Sequence, residues 1–132
     1  MAQPPPFCTD GADGGPPATL QSVERITGAS CLGSGCHDGY DPATQFANFE
    51  LRAGHVRASV VNIAASEACG GTRVVPGNPD KSYFYLKIAD PMPCSPVGQF
   101  FLRMPRCEDG SCPLRQCEID LVRAWIAAGA PP

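Results

Sequence analysis

Residues 31–39 read CLGSGCHDG: Cys31 and Cys36 are separated by a glycine-rich tetrapeptide, and His37 follows the second cysteine directly. Whether this trio fastens a cofactor or closes a loop decides what the chain folds around. Two thiols that add to the vinyl groups of a porphyrin, with a histidine beside the second, make a covalent c-type haem site in which that histidine is the proximal iron ligand. The usual spacer has two residues; here it has four, Leu32-Gly33-Ser34-Gly35. The geometric demand falls mainly on Cys36 and His37, because Cys31 need only reach the other vinyl through a loop that its two glycines make easy to compact. Taken alone the motif is weak, and a disulfide between Cys31 and Cys36 beside a surface His37 has an equal claim on it. A zinc site of Cys31, Cys36 and His37 with a distant cysteine is disfavoured: neighbouring Cys and His rarely reach one tetrahedral ion, and oxidising conditions favour disulfides over thiolates.

Working outward, 132 residues suffice for one domain. A chain of this length buries roughly two-thirds of its unfolded surface, so its core is modest and gains from staples or a cofactor. Eight cysteines at scattered spacings point to an oxidising compartment, which means periplasm, cell surface or outside. Residues 1–17, MAQPPPFCTDGADGGPP, hold neither an apolar run nor a cleavage site of the secretory kind. The expectation is an exported protein whose leader is absent from this chain. No stretch approaches the roughly 20 apolar residues of a membrane span. A net charge of −3 with ten dispersed Lys and Arg offers no basic face, which argues against nucleic acid as a partner.

Fourteen glycines and 15 prolines predict a loop-rich fold with a few short helices. Residues 1–17 read as a semi-extended tether that Cys8 pins to the body, and 18–132 as the domain proper. Leu20, Val23 and Ile26 recur at helical spacing, so a helix is expected over about 18–28, capped by Thr19 or a neighbour and delivering Cys31 to the edge of the core. HVRASVVNIAAS suggests a helix of about two turns around Val56, Val60 and Ile63. In VVPGNPDKSYFYLKIAD an extended approach and a turn lead to Asn78 as N-cap, Pro79 at the first helical position and Asp80 at the positive end of the dipole. That predicts one helix over 79–89 with Tyr83, Leu86 and Phe84 facing inward. Residues 90–113, with five prolines, read as irregular loop. LRQCEIDLVRAWIAAGAPP is the clearest helix, with Ile119, Val122, Trp125, Ile126 and Gly129 along one side, ended by Gly129 and Pro131.

A single-haem protein needs a sixth iron ligand or an open face, and a loop methionine between the attachment motif and the last helix commonly supplies it. FFLRMPRC offers Met104, with Phe100, Phe101 and Leu102 to cover a haem edge; the bland reading is a methionine filling a gap. The competitors are Met92, in PMPC, and His55, whose bland reading is a solvent-facing side chain beside Arg52 and Arg57.

The order of these parts (a helix, C-x4-C-H-D-G, VVPGNPDKSYFYLKI, RMP, EIDLVRAWIAAGA) resembles the small exported cytochrome c-like domains of bacteria over roughly residues 18–130. The resemblance implies a mostly α-helical, cytochrome c-like domain, loop-rich and disulfide-stapled, around one covalent haem c. It implies Cys31 and Cys36 as thioether donors, His37 as proximal ligand and Met104 as distal ligand. The four-residue spacer, the CEDGSC insertion after RMP and the missing Ser or Thr before the last helix depart from the family pattern; at the last, Cys117 is expected to steady the helix start through a disulfide.

Six cysteines remain for disulfides if haem takes two, with 15 possible connectivities. Cys107–Cys112 would close a small loop after Met104, Cys69–Cys94 is the second pairing favoured, and Cys8–Cys117 follows by elimination. No nucleophile with a base at telling spacing and no phosphate-binding glycine loop is present. The expected function is one-electron transfer to redox partner proteins, other cytochromes among them, rather than catalysis; assembly into an oligomer stays open. Two alternatives stay open: a haem-free, disulfide-stapled binding or assembly module, and a haem enzyme such as a peroxidase with an open distal face.

Overall fold

The structure, a computed structural model, describes Cys8 and residues 16–32, 50–65, 71–90, 104–107, 110–111 and 114–132. Among these, helices dominate: α1 (Leu20–Ser30), α2 (Val56–Val60), α3 (Tyr83–Ala89) and α4 (Gln116–Ala127), with a 3-10 turn at Pro79–Lys81. Two-residue strands β1 (Arg106–Cys107) and β2 (Gly110–Ser111) pair antiparallel, a small ladder inside the stretch expected to be irregular throughout.

α1 starts where Thr19, in extended backbone, turns its hydroxyl to accept the Ser22 N–H at 3.2 Å. This satisfies one of the four amides that a helix start leaves without an internal partner. Val23 and Ile26 point inward, and the helix runs past Gly28 to Ser30. Inside the same face, the buried Thr27 hydroxyl donates to the Leu51 carbonyl at 2.8 Å and so fastens α1 to the approach of α2. α2 is shorter than its sequence pattern suggested; Ile63 lies beyond its end and is 38% exposed.

α4 is the element on which the others rest, packing against both α1 and α3. Ile119, Val122, Trp125 and Ile126 are buried as their spacing requires, and Leu121 joins them. Gly129 does not line that side but ends the helix at φ +100°, a conformation in which glycine avoids a Cβ clash. The Gly129 N–H meets the Ile126 carbonyl and the Ala130 N–H meets that of Trp125, each at 2.9 Å, closing a Schellman turn. The residues beyond curl back: the Pro131 carbonyl accepts from the Trp125 indole at 3.0 Å and the Ala130 carbonyl from Arg57 Nε at 2.9 Å.

At the other end of α4 the N-cap is Arg115, whose side chain has no acceptor. Glu118 supplies what the missing Ser or Thr would not, accepting the Arg115 N–H on Oε1 at 3.1 Å. The expected Cys8–Cys117 disulfide is present, and Arg115 Nη1 donates to the Cys8 carbonyl at 3.3 Å. The other two expected pairings involve Cys69, Cys94 and Cys112, which lie outside the described residues.

The segment 79–89 corrects the sequence reading. It is broken at Ser82, which is extended and fully buried. The Ser82 hydroxyl accepts the Val75 N–H at 2.9 Å and donates to the Asn78 carbonyl at 2.8 Å, so the residue is held by the preceding turn. The first amides of α3 then find partners outside the helix, Tyr83 N–H on the Thr72 carbonyl at 3.0 Å and Phe84 N–H on that of Arg73 at 2.8 Å. Asn78, the expected N-cap, makes no side-chain hydrogen bond to the turn that follows it. Tyr83, Phe84 and Ile88 are buried, whereas Leu86 is half-buried.

Candidate functional site

Of the residues that the sequence marks for chemistry, Cys31, His55 and Met104 are described; Cys36, His37 and Met92 lie outside the described residues. Cys31 is the C-cap of α1, its N–H on the Thr27 carbonyl at 2.8 Å. It is half-buried, and with Leu32 it packs on the apolar cluster that holds Val23, Ile26 and Trp125. The helix thus delivers the first motif cysteine to the edge of the core, as the spacing of Leu20, Val23 and Ile26 implied.

Met104 is also half-buried, and its N–H donates to the Lys87 carbonyl in the last turn of α3 at 2.8 Å. Carbonyls at a helix C-terminus have no partner within the helix, so an incoming amide there is well used. Cys31 and Met104 therefore sit at the C-terminal ends of two helices that share α4 as their support. His55 is different in kind. It stands at the N-cap of α2 with half of its side chain in solvent, and its Nδ1 lies 3.4 Å from a Glu50 carboxylate oxygen. That carboxylate also meets Arg52.

Two of the described donors, Cys31 and Met104, are of the kinds that a covalent c-type haem uses. A cysteine thiol adds to a vinyl group, a thioether is a soft ligand for iron, and both sulfur residues are partly sheltered. An exposed imidazole beside a carboxylate fits less well. Among the described residues no group of three or more His, Cys, Asp or Glu side chains comes together.

Three arginines were not marked by the sequence. Arg73 is buried; Nη1 donates to the Ser59 carbonyl at 2.8 Å, and burial holds the guanidinium below its ordinary value by disfavouring the charged form. Its signal in the sequence is faint, a lone cation directly before the apolar pair Val74-Val75. Arg57, read as a neighbour of a surface histidine, latches the chain beyond α4. Arg123 pairs with Asp80 at 3.0 Å and lies 5.4 Å from the centre of the Tyr85 ring. The hydrogen bond to Asp80 holds it above the ordinary arginine value, with the charge of Asp80 acting the same way against a smaller desolvation effect. Trp125 is a core aromatic, as expected.

Comparison with protein-family models, with curated proteins and with solved structures finds no match to this chain. No helix among the described residues is long and apolar enough to cross a membrane.

Proposed function

We propose that this chain is a one-electron carrier of an oxidising, exported compartment (periplasm, cell surface or outside) that holds one haem c. Cys31 and Cys36 would hold the haem through thioethers, His37 would be its proximal ligand and Met104 its distal ligand, in a cytochrome c-like domain. The observation that carries the reading is the pair Cys31 and Met104, each half-buried at the C-terminal end of a helix packed on α4. When bound, the haem supplies a reversible couple between ferric and ferrous iron. The chain's own part is to hold and shelter the ligands. The Thr27 carbonyl fixes the backbone of Cys31, the Lys87 carbonyl fixes that of Met104, and Leu32 with the core side chains beneath it limits water on the Cys31 side.

The test is the intact mass of the mature protein, which reads one added haem and the number of disulfides together. Sharp visible bands on reduction that stay with the chain through acid-acetone extraction are the expected companion. A Met104→Ala variant should change the oxidised and reduced spectra and lower the potential; spectra identical to those of the parent would sink the distal assignment. Carbon monoxide or cyanide binding by the unaltered protein would instead favour a haem enzyme with an open distal face.

The second reading is a haem-free, disulfide-stapled binding or assembly module, favoured by the Cys8–Cys117 bond, which ties the N-terminal segment to α4 without any cofactor. A colourless protein with the mass of the bare chain would decide for it.

A further inference from the structure

The segment VVPGNPDKSY, residues 74–83, has no role in the proposed chemistry, yet the structure makes it a junction. The Gly77 N–H donates to the Ile126 carbonyl at the end of α4 at 2.7 Å. Val75 N–H and Asn78 carbonyl both bond the Ser82 hydroxyl, and the amides following Ser82 bond Thr72 and Arg73. Ser82 is fully buried, so this hydroxyl has no water to fall back on. α3 leaves the junction as a rod of seven residues, about 10 Å at a rise of 1.5 Å per residue. At its far end the Lys87 carbonyl holds the amide of Met104.

Resting on the haem reading above, the geometry points to Ser82 as a positioning residue for the distal methionine: by fixing the start of α3 against α4, it fixes where Met104 is held. The hydroxyl bonds Val75 and Asn78, and its effect on Met104 would be carried by the helix. The exposed ion pair between Asp80 and Arg123 joins the 3-10 turn before Ser82 to α4 from outside, where solvent screens it.

The experiment is Ser82→Ala in the full, haem-loaded chain, read by the weak long-wavelength absorption of methionine sulfur on ferric haem, by the reduction potential and by helical circular dichroism. The expected result is loss or marked weakening of the sulfur band and a lowered potential, with haem content and helix content retained. Asp80→Asn should leave band and potential as in the parent. A lower melting temperature with an unchanged band and potential would make Ser82 merely structural and overturn the positioning role. If Ser82→Ala does not fold, Gly77→Ala takes its place. That glycine is at φ +83° with open space around an added methyl, so the change strains the same junction without a clash. A weakened band supports the inference and an unchanged one overturns it. A parent protein without haem overturns this inference together with the functional reading. Haem with a band that survives Met104→Ala removes the distal assignment and this inference; a band lost in Met104→Ala and kept in Ser82→Ala removes the positioning role alone.

Discussion

The indole N–H of Trp125 donates to the carbonyl of Pro131 at 3.0 Å, six residues further on, from a side chain with no solvent exposure. Trp125 is therefore both the largest buried side chain of α4 and the anchor of the segment that follows it. Replacement by Phe removes the donor and part of the buried ring. The expected loss is about 1–3 kcal/mol, a hydrogen bond plus a small cavity. Urea unfolding followed by circular dichroism measures it without depending on the tryptophan signal.

Thr27 separates hydroxyl from shape. Thr27→Val keeps the volume and removes the donor to the buried Leu51 carbonyl, so a loss of about 1–2 kcal/mol is expected. Thr27→Ser keeps the donor and gives up a methyl, at roughly 1 kcal/mol. Unfolding curves of the two single variants in which Thr27→Val is as stable as the parent would show that the hydrogen bond contributes nothing.

Arg73 carries a pH signature only when replaced. Its folded value is lowered by burial, so the unfolded chain takes up the proton more readily and this group disfavours the fold at every pH below its titration. Arginine stays charged throughout the usable range, so the parent shows no pH dependence from it. Arg73→Lys brings the same effect within reach. A buried lysine is also pushed down from its ordinary value near 10.4, so its penalty is fully present below the folded value and relieved as pH rises toward about 10. The variant should be less stable than the parent at pH 7, with a gap that narrows by pH 10. A gap constant between the two, by chemical denaturation, would contradict the burial argument.

The Cys8–Cys117 bond closes a span of 109 residues. Its removal as Cys8→Ser with Cys117→Ser should cost about 2–5 kcal/mol, chiefly by freeing the unfolded chain. Because Glu118 also holds the first turn of α4, helix content should persist in the double variant. Circular dichroism and a denaturation curve read the two outcomes independently.

Helices with a regular apolar stripe were legible in the sequence: α1 and α4 follow from the spacing of Val23 and Ile26 and of Ile119, Val122, Trp125 and Ile126. The break before α3 was not. Propensity favours one helix from Pro79, and only the distant amide of Val75, brought alongside by the chain's return, recruits the Ser82 hydroxyl away from it. The same holds for Arg73, whose burial depends on segments remote in sequence. In the candidate site, the delivery of Cys31 by α1 was legible because it is local. The seat of Met104 on Lys87 was not, because nothing near either residue announces a backbone bond across 17 positions.

The turn that ends α4 has a practical consequence for anyone trimming or fusing this chain. A version cut after Ala128 would strip the indole of Trp125 and the guanidinium of Arg57 of their acceptors together. It would also remove the glycine that lets the helix stop, and with it the Gly129 amide that bonds the Ile126 carbonyl. Residues 129–131 are thus the closing stitch of the helix α4, and any cut or fusion on that side should leave them in place.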